Sequence, residues 1–413
     1  MKVTQVTGSL RHSVVPLSPA IALVAVQLIF FGLPAGAWVR AVVIGLLTAL
    51  LAVGMALVYR ANRVLNFSQA DLGFVPATLS VGLIVFNGLP YLFGFGVGLV
   101  ASLVLGAIVE LAIVRRFVRS PRLVLTVATL GITQLLTVLA LLVPRMWDKV
   151  AASQRIDPPI DWKLTIGTFI LNANDLIALI VAPLAMIAVG LFLSQTTLGT
   201  AVRAAAERSD RASLLGIPVG WLSTVVWMLA SVLSFLALFL RAGILGVPIG
   251  GALSISNLIL ALAALVIGRL RNLPTNAIAA VALGILEYGI QWNADSPLLV
   301  APFVGAAVMA ALLLQRRGTT RLDQDTTASW RLADEVRALP REIAKLPLVR
   351  LLRWGVFVLI GVAVIAIGSR GGAEEEDARR RDQARTRRRR EIRRSGCRGR
   401  ACDGHAHDER SEH

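Results

Sequence analysis

The chain has 413 residues, of which 56% are hydrophobic and only 16% charged, with a mean hydropathy of +0.71. A water-soluble fold, in which about a quarter of residues carry charge, cannot hide that much apolar surface, so a soluble globular protein is excluded and a bilayer is the solvent that fits. The net charge of +17 is spread along the chain, which argues against a nucleic-acid partner and for basic loops at a membrane face.

In chain order, apolar runs of span length fall at about residues 19–36, 41–58, 70–86, 91–114, 123–144, 176–193, 221–240, 251–268, 275–291 and 297–314. Lipid offers backbone groups no partner, and the runs are too long for barrel strands, so the expected fold is all-α: a polytopic transmembrane bundle of about ten spans. The first run ends in Ala35-Gly36-Ala37, which resembles a signal-peptide cleavage site, but the alternation of loops needs this helix and it is read as retained. Placing the loop Arg115, Arg116, Arg119 and Arg122 inside puts 13 of the 19 Lys and Arg before residue 315 inside, with a cytoplasmic N-terminus. Arg40, Arg145, Lys149, Arg155, Lys163 and Arg241 then fall in outer loops.

Residues 1–314 read as one membrane domain. Residues 315–353 turn polar, with Trp330, Leu332, Val336, Leu339, Ile343 and Leu346 at near-helical spacing, as in an amphipathic helix on the cytoplasmic surface. The run 354–368 is short for a span. Residues 369–413 hold 14 Arg and 10 acidic residues, with Ile392 the one large aliphatic, a composition that cannot fold and is expected to be disordered. Cys397, Cys402, His405, His407 and His413 lie there at spacings that fit no metal motif, so no metal site and no cofactor is expected.

The chain has four lysines, Lys2, Lys149, Lys163 and Lys345, and none follows a glycine, so it has no P-loop and no ATPase site of its own. No catalytic cluster presents itself, and the reading is a transporter rather than an enzyme. Carboxylates in a bilayer are costly and mark function, which singles out Asp71, Glu110 and Glu287. For Glu110, about one turn before Arg115, an ion pair that sets helix depth is the plainer account. The run Arg63-Val64-Leu65-Asn66-Phe67-Ser68-Gln69-Ala70-Asp71-Leu72 sets polar groups between two apolar segments with almost no spacer. Such groups serve either a tight cytoplasmic turn or a polar solute.

That run, with the Gly45–Tyr59 segment before it, resembles the opening signature of the branched-chain amino-acid ABC transporter permeases. Two further blocks agree: Glu110–Arg116 with Arg119-Ser120-Pro121 and Ala128-Thr129-Leu130-Gly131, and Leu198–Glu207 with Ala212-Ser213-Leu214-Leu215-Gly216-Ile217. The resemblance covers about residues 41–314. It implies a multi-pass permease of the cytoplasmic (inner) membrane that pairs with a second permease, docks ABC ATPase subunits and receives solute from an extracytoplasmic binding protein. The ATPase-coupling loop then maps to Gly199, Arg203, Ala204, Ala205, Glu207 and Gly216. Where the family carries a Gly-rich turn, this chain has Gly268-Arg269-Leu270-Arg271-Asn272-Leu273-Pro274.

On this reading the solute is a branched-chain amino acid or a related amino acid or amide, with pathway candidates Asn66, Ser68, Gln69, Thr126, Thr129 and Thr133, the threonines sharing one helix face. The competing reading is a secondary carrier or channel for a small polar solute, driven by an ion gradient. The family also includes fused permease pairs. Residues 315–368 resemble a linker and the start of a second half, and the Arg-rich tail is what a shifted frame of a GC-rich gene yields. A truncated or frameshifted fusion is therefore expected, and it fails if neither alternative frame of the coding DNA after residue 368 encodes further spans.

Overall fold

A segment placed in lipid must satisfy every backbone N–H and C=O internally, and this chain does so with helices. The computed structural model describes residues 18–30, 32–117, 122–148, 155–160, 162–166, 169–207, 209–246, 252–268 and 273–293, with isolated residues 302, 305, 306 and 309. All belong to the unit Met1–Gly318. What was expected of 1–17, of most of 297–314, of Arg119–Pro121 and Arg269–Asn272, and of everything from 315 on lies outside the described residues.

The elements run α1 (Ser18–Phe30), α2 (Ala35–Asn62), α3 (Gln69–Asn87), α4 (Tyr91–Val109) and α5 (Arg122–Leu142). A hairpin of β1 (Lys163–Ile166) and β2 (Phe169–Asn172) pairs antiparallel, Lys163 opposite Asn172. Then come α6 (Ala173–Gln195), α7 (Thr197–Glu207), α8 (Ser209–Leu214), α9 (Val219–Leu245), α10 (Ala252–Ile267) and α11 (Leu273–Asn293). A π turn, Glu110–Val114, and a last helical turn, Arg115–Phe117, prolong α4, and a 3₁₀ turn, Val143–Trp147, closes α5. Among the described residues seven helices are long and apolar enough to cross a membrane: α2, α3, α4, α5, α6, α9 and α11; α1 and α10 are shorter apolar helices. The fold is thus an all-α polytopic bundle.

The first expected span is cut short. Pro34 stands extended at the head of α2 and pushes the residue before it out of the helical region, so one helix ends at Phe30 and the next begins at Ala35. Gly36 and Ala37, part of the cleavage-like tripeptide, are buried in the first turn of α2.

The core forms around α2, whose 28 residues are apolar on every side and mostly buried. At about 1.5 Å per residue it outreaches a hydrocarbon core of about 30 Å, so its ends stand at the two interfaces. It packs chiefly against α11 and α9. The α2–α11 crossing is a glycine contact: a methyl on Gly45 would stand 2.6 Å from the carbonyl oxygen of Val281, and one on Gly284 would overlap the Cα of Gly45. Between α4 and α9, Tyr91, Phe95, Phe235 and Phe239 stack with ring centroids 5.4–5.7 Å apart. The outer faces of α4, α5 and α6 leave Leu, Ile and Val exposed, as lipid-facing helices do.

Contacts sort the helix termini into two ends. One carries Arg60, Arg63, Arg115, Arg203 and Arg211 with α7 and α8. At the other, two arginines expected in outer loops are in fact inside helices. Arg40, in α2, bonds both carboxylate oxygens of Asp175 at the head of α6 (3.1 and 2.8 Å), and Arg241, near the end of α9, reaches Glu287 of α11 at 3.2 Å. The helices run past the apolar window because each guanidinium brings its own counter-charge.

Candidate functional site

The polar run between α2 and α3 folds as a buried knot. The side-chain oxygen of Asn66 accepts from the Ser68 backbone N–H (3.1 Å) and hydroxyl (2.7 Å), an Asx turn that leads into α3, and its amide donates to Gln69 Oε1 (3.0 Å). Gln69 in turn donates to the carbonyl of Ala230 (3.0 Å) and to Ser234 Oγ (2.6 Å), both on α9. Asn66, Ser68, Gln69 and Asp71 are all essentially without exposed surface.

The threonine face of α5 meets the same knot. Thr129 Oγ1 accepts from the Phe67 backbone N–H (3.3 Å), and Thr137 donates to Asp71 Oδ1 (3.2 Å). Thr129 and Thr133 are buried and their hydroxyls donate to the carbonyls of Thr126 and Thr129, while Thr126 is half-buried. The structure therefore brings the two sets of pathway candidates together, in a conformation in which their donors are occupied by protein. Three partners lie outside the sequence reading: Thr137, Ser234 and Ser231, whose hydroxyl donates to the Leu72 carbonyl of α3 (3.5 Å). The signal for the last two was present, since two serines three apart in an otherwise apolar helix share one face.

The Leu198–Ile217 block forms α7 and α8 at the Arg-rich end. Gly199 is required where α7 turns back on α6, because a methyl there would overlap the Phe192 carbonyl, and its N–H is taken by Thr196 Oγ1 (2.9 Å). Val202 and Ala205 face inward with Gly199; Arg203, Ala204 and Glu207 face out. α8 ends in a Schellman turn: Ile217 N–H bonds the Ala212 carbonyl and Gly216 N–H the Ser213 carbonyl, with Gly216 at φ 78°. This turn presents Leu214 and Leu215 at 87% and 80% exposure, side by side on a charged surface. Arg63 ties the block to the bundle by donating to the Ala206 carbonyl (3.0 Å), and Arg115 fixes the head of α9 that follows the block, donating to the Gly220 carbonyl (3.0 Å) and Thr224 Oγ1 (3.1 Å).

Glu110 stands in the π turn of α4, buried, accepting from Thr224 (2.6 Å) and lying 3.5 Å from Arg115. It thus joins the exit of the α7–α8 block to a helix already loosened by a wider turn. Glu287, at the opposite end, accepts from Arg241 and from Gln291 (3.1 Å). Removing one member of a buried pair leaves an uncompensated charge, so R241M should destabilise the protein by about 3–5 kcal/mol, and R241M/E287M should recover most of it. Thermal unfolding in detergent checks this; an R241M chain as stable as the parent would show the pair to be dispensable.

Residues 37–314 match the family described as branched-chain amino acid transport system / permease component. The chain is 27% identical over 299 residues to the probable branched-chain amino acid transport permease protein LivH of Methanocaldococcus jannaschii, covering 68% of this chain and 91% of that protein. It is 22% identical over 260 residues to the high-affinity branched-chain amino acid transport system permease protein BraD of Pseudomonas aeruginosa, covering 60% and 83%. Among solved structures, PsaBC from Streptococcus pneumoniae in complex with Fab aligns at a TM-score of 0.40 and 14% identity, over 66% of this chain and 88% of that one.

Proposed function

Because the chain belongs to the branched-chain amino acid transport permease family, the membrane-spanning component of ABC importers, we propose that it carries a branched-chain or related amino acid, or an amide, across the cytoplasmic membrane. Separate ATPase subunits drive it, a second permease completes the conduit, and an extracytoplasmic binding protein delivers the solute. The observation that carries this reading is the Leu214–Leu215 tip. Two adjacent leucines held out at a rigid turn, among exposed Arg203, Glu207 and Arg211, are a docking knob for another protein. The Arg-rich end, which bears the knob, is the cytoplasmic one by the distribution of charge. A chain without a P-loop needs an ATPase to meet it there.

Docking is transmitted through bonds already described. A shift of α7 pulls on the Arg63–Ala206 bond and so on the α2–α3 turn, and a shift at Gly220 pulls on Arg115 and on Glu110 in the π turn. The knot of Asn66, Ser68 and Gln69 against Thr129 and Ser234 is the cytoplasmic gate, closed in this conformation. Opening exchanges its internal hydrogen bonds for bonds to solute: the amides and hydroxyls suit an α-carboxylate, and Asp71 suits an α-ammonium. Vesicles containing the complete transporter test the assignment. Labelled leucine uptake should be displaced by isoleucine and valine, and should fall about tenfold or more in Q69L and in D71N, the loss of one or two hydrogen bonds to a charged group. Full uptake in both variants would remove the knot from the pathway.

A further inference from the structure

At the Arg-rich end, α6 and α11 flank α2 and leave between them an open apolar groove of about 530 Å³. Val53 of α2 lines it, with Ile187 and Gly190 of α6 on one side and Ile278 of α11 on the other. Ile187 and Ile278 are about half exposed. The groove continues into a stripe of exposed residues, Ile180, Leu184, Ile187 and Leu191, that runs along α6 at helical spacing. Its exposed walls are apolar, as surfaces that meet lipid are.

The groove is apolar along its length and cationic at its mouth. Arg60 and Arg203 both line it. Among the described residues Arg60 makes no ion pair, and Arg203 donates one long bond, 3.5 Å, to the Ser194 carbonyl. Among the described residues Arg63 and Arg203 act on Arg60 as like charges and Glu207 as an opposing one, so this cluster sets three guanidinium groups against one carboxylate. Leu273 and Pro274, the first residues of α11, also line the groove, so the positive end of a 21-residue helix dipole opens onto it. An apolar slot that opens on lipid and ends in unneutralised guanidinium groups fits a molecule with a chain at one end and an anion at the other.

We propose that this groove binds an anionic phospholipid, with the phosphate on Arg60 and Arg203 and an acyl chain lying past Gly190. The site requires only that the chain sits in a bilayer, and so stands apart from the identity of the solute. Its consequence rests on the coupling role of α7: because Arg203 belongs to α7, bound lipid braces the docking element against α2, and transport acquires a requirement for anionic lipid.

The test is native mass spectrometry of the delipidated full chain titrated in detergent with phosphatidylglycerol or phosphatidylcholine. The parent should retain phosphatidylglycerol with a preference of about tenfold, R60Q/R203Q should fall to the phosphatidylcholine level, and millimolar inorganic phosphate should not displace the lipid. A Cβ on Gly190 meets nothing within 4 Å, so G190L fits the fold while filling the slot, and it should lose the lipid with both arginines intact. Equal retention of the two lipids, retention of phosphatidylglycerol by G190L, or displacement by phosphate alone would overturn the proposal. So would a photo-cross-linker at Ile187 that reacts with residues 294–314 or a second permease instead of lipid.

Discussion

In a chain carrying L214D and L215D, co-purification of the ATPase is expected to fall by about thirtyfold, the loss of a single interface hot spot of about 2 kcal/mol, while the bundle itself remains folded. Both leucines are held clear of the bundle by the Gly216 turn, so their removal takes nothing from the core. An aspartate at either place puts a desolvation cost into the contact in exchange for apolar burial. Pull-down from native membranes, with the elution profile of the purified chain as the control for folding, measures the effect. Undiminished recovery of the ATPase would place docking elsewhere on the Arg-rich end.

Replacing Gly284 by leucine should prevent recovery of monodisperse protein, and G284A should already lower thermal stability. Intrinsic propensity pulls the other way, since alanine is better than glycine in a helix by about 1 kcal/mol. The contact wins because the neighbour is backbone: the new Cβ overlaps Gly45 Cα, and α2 cannot withdraw without opening the centre of the bundle. Gly190 provides the contrast. It lies in α6 with nothing near its absent Cβ, so G190A should be neutral or slightly stabilising. If the two alanine variants behave alike in detergent unfolding, the α2–α11 crossing is looser than the structure has it.

The helices were legible because lipid makes one demand of every span, and uniformly apolar runs report it directly. Their ends were not. Arg40 and Arg241 read as loop residues because their partners, Asp175 and Glu287, lie 135 and 46 residues away, and local sequence carries no trace of such a pairing. The β1–β2 hairpin and the π turn at Glu110 were equally silent, the first lying in a polar stretch between spans and the second inside a long apolar run.

At the site, the island Asn66–Asp71 was conspicuous as polarity out of place, and the threonines of α5 showed their common face by spacing. That the two meet, and that α9 closes the knot with Ser234, depends on packing between segments more than 60 residues apart. The Leu214–Leu215 turn lies inside a block that the family resemblance marked, but its exposure was not legible. Two adjacent leucines carry no local sign of which way they face, and the turn at Gly216 holds them outward.

The most direct test of the whole account is leucine uptake into proteoliposomes, comparing the chain alone under a proton or sodium gradient with the chain assembled with its ATPase, second permease and binding protein. Accumulation that appears only in the assembly, and only when ATP is supplied on the side of the Arg-rich end, is the result predicted here. Accumulation by the chain alone, driven by the ion gradient and indifferent to ATP, would contradict it.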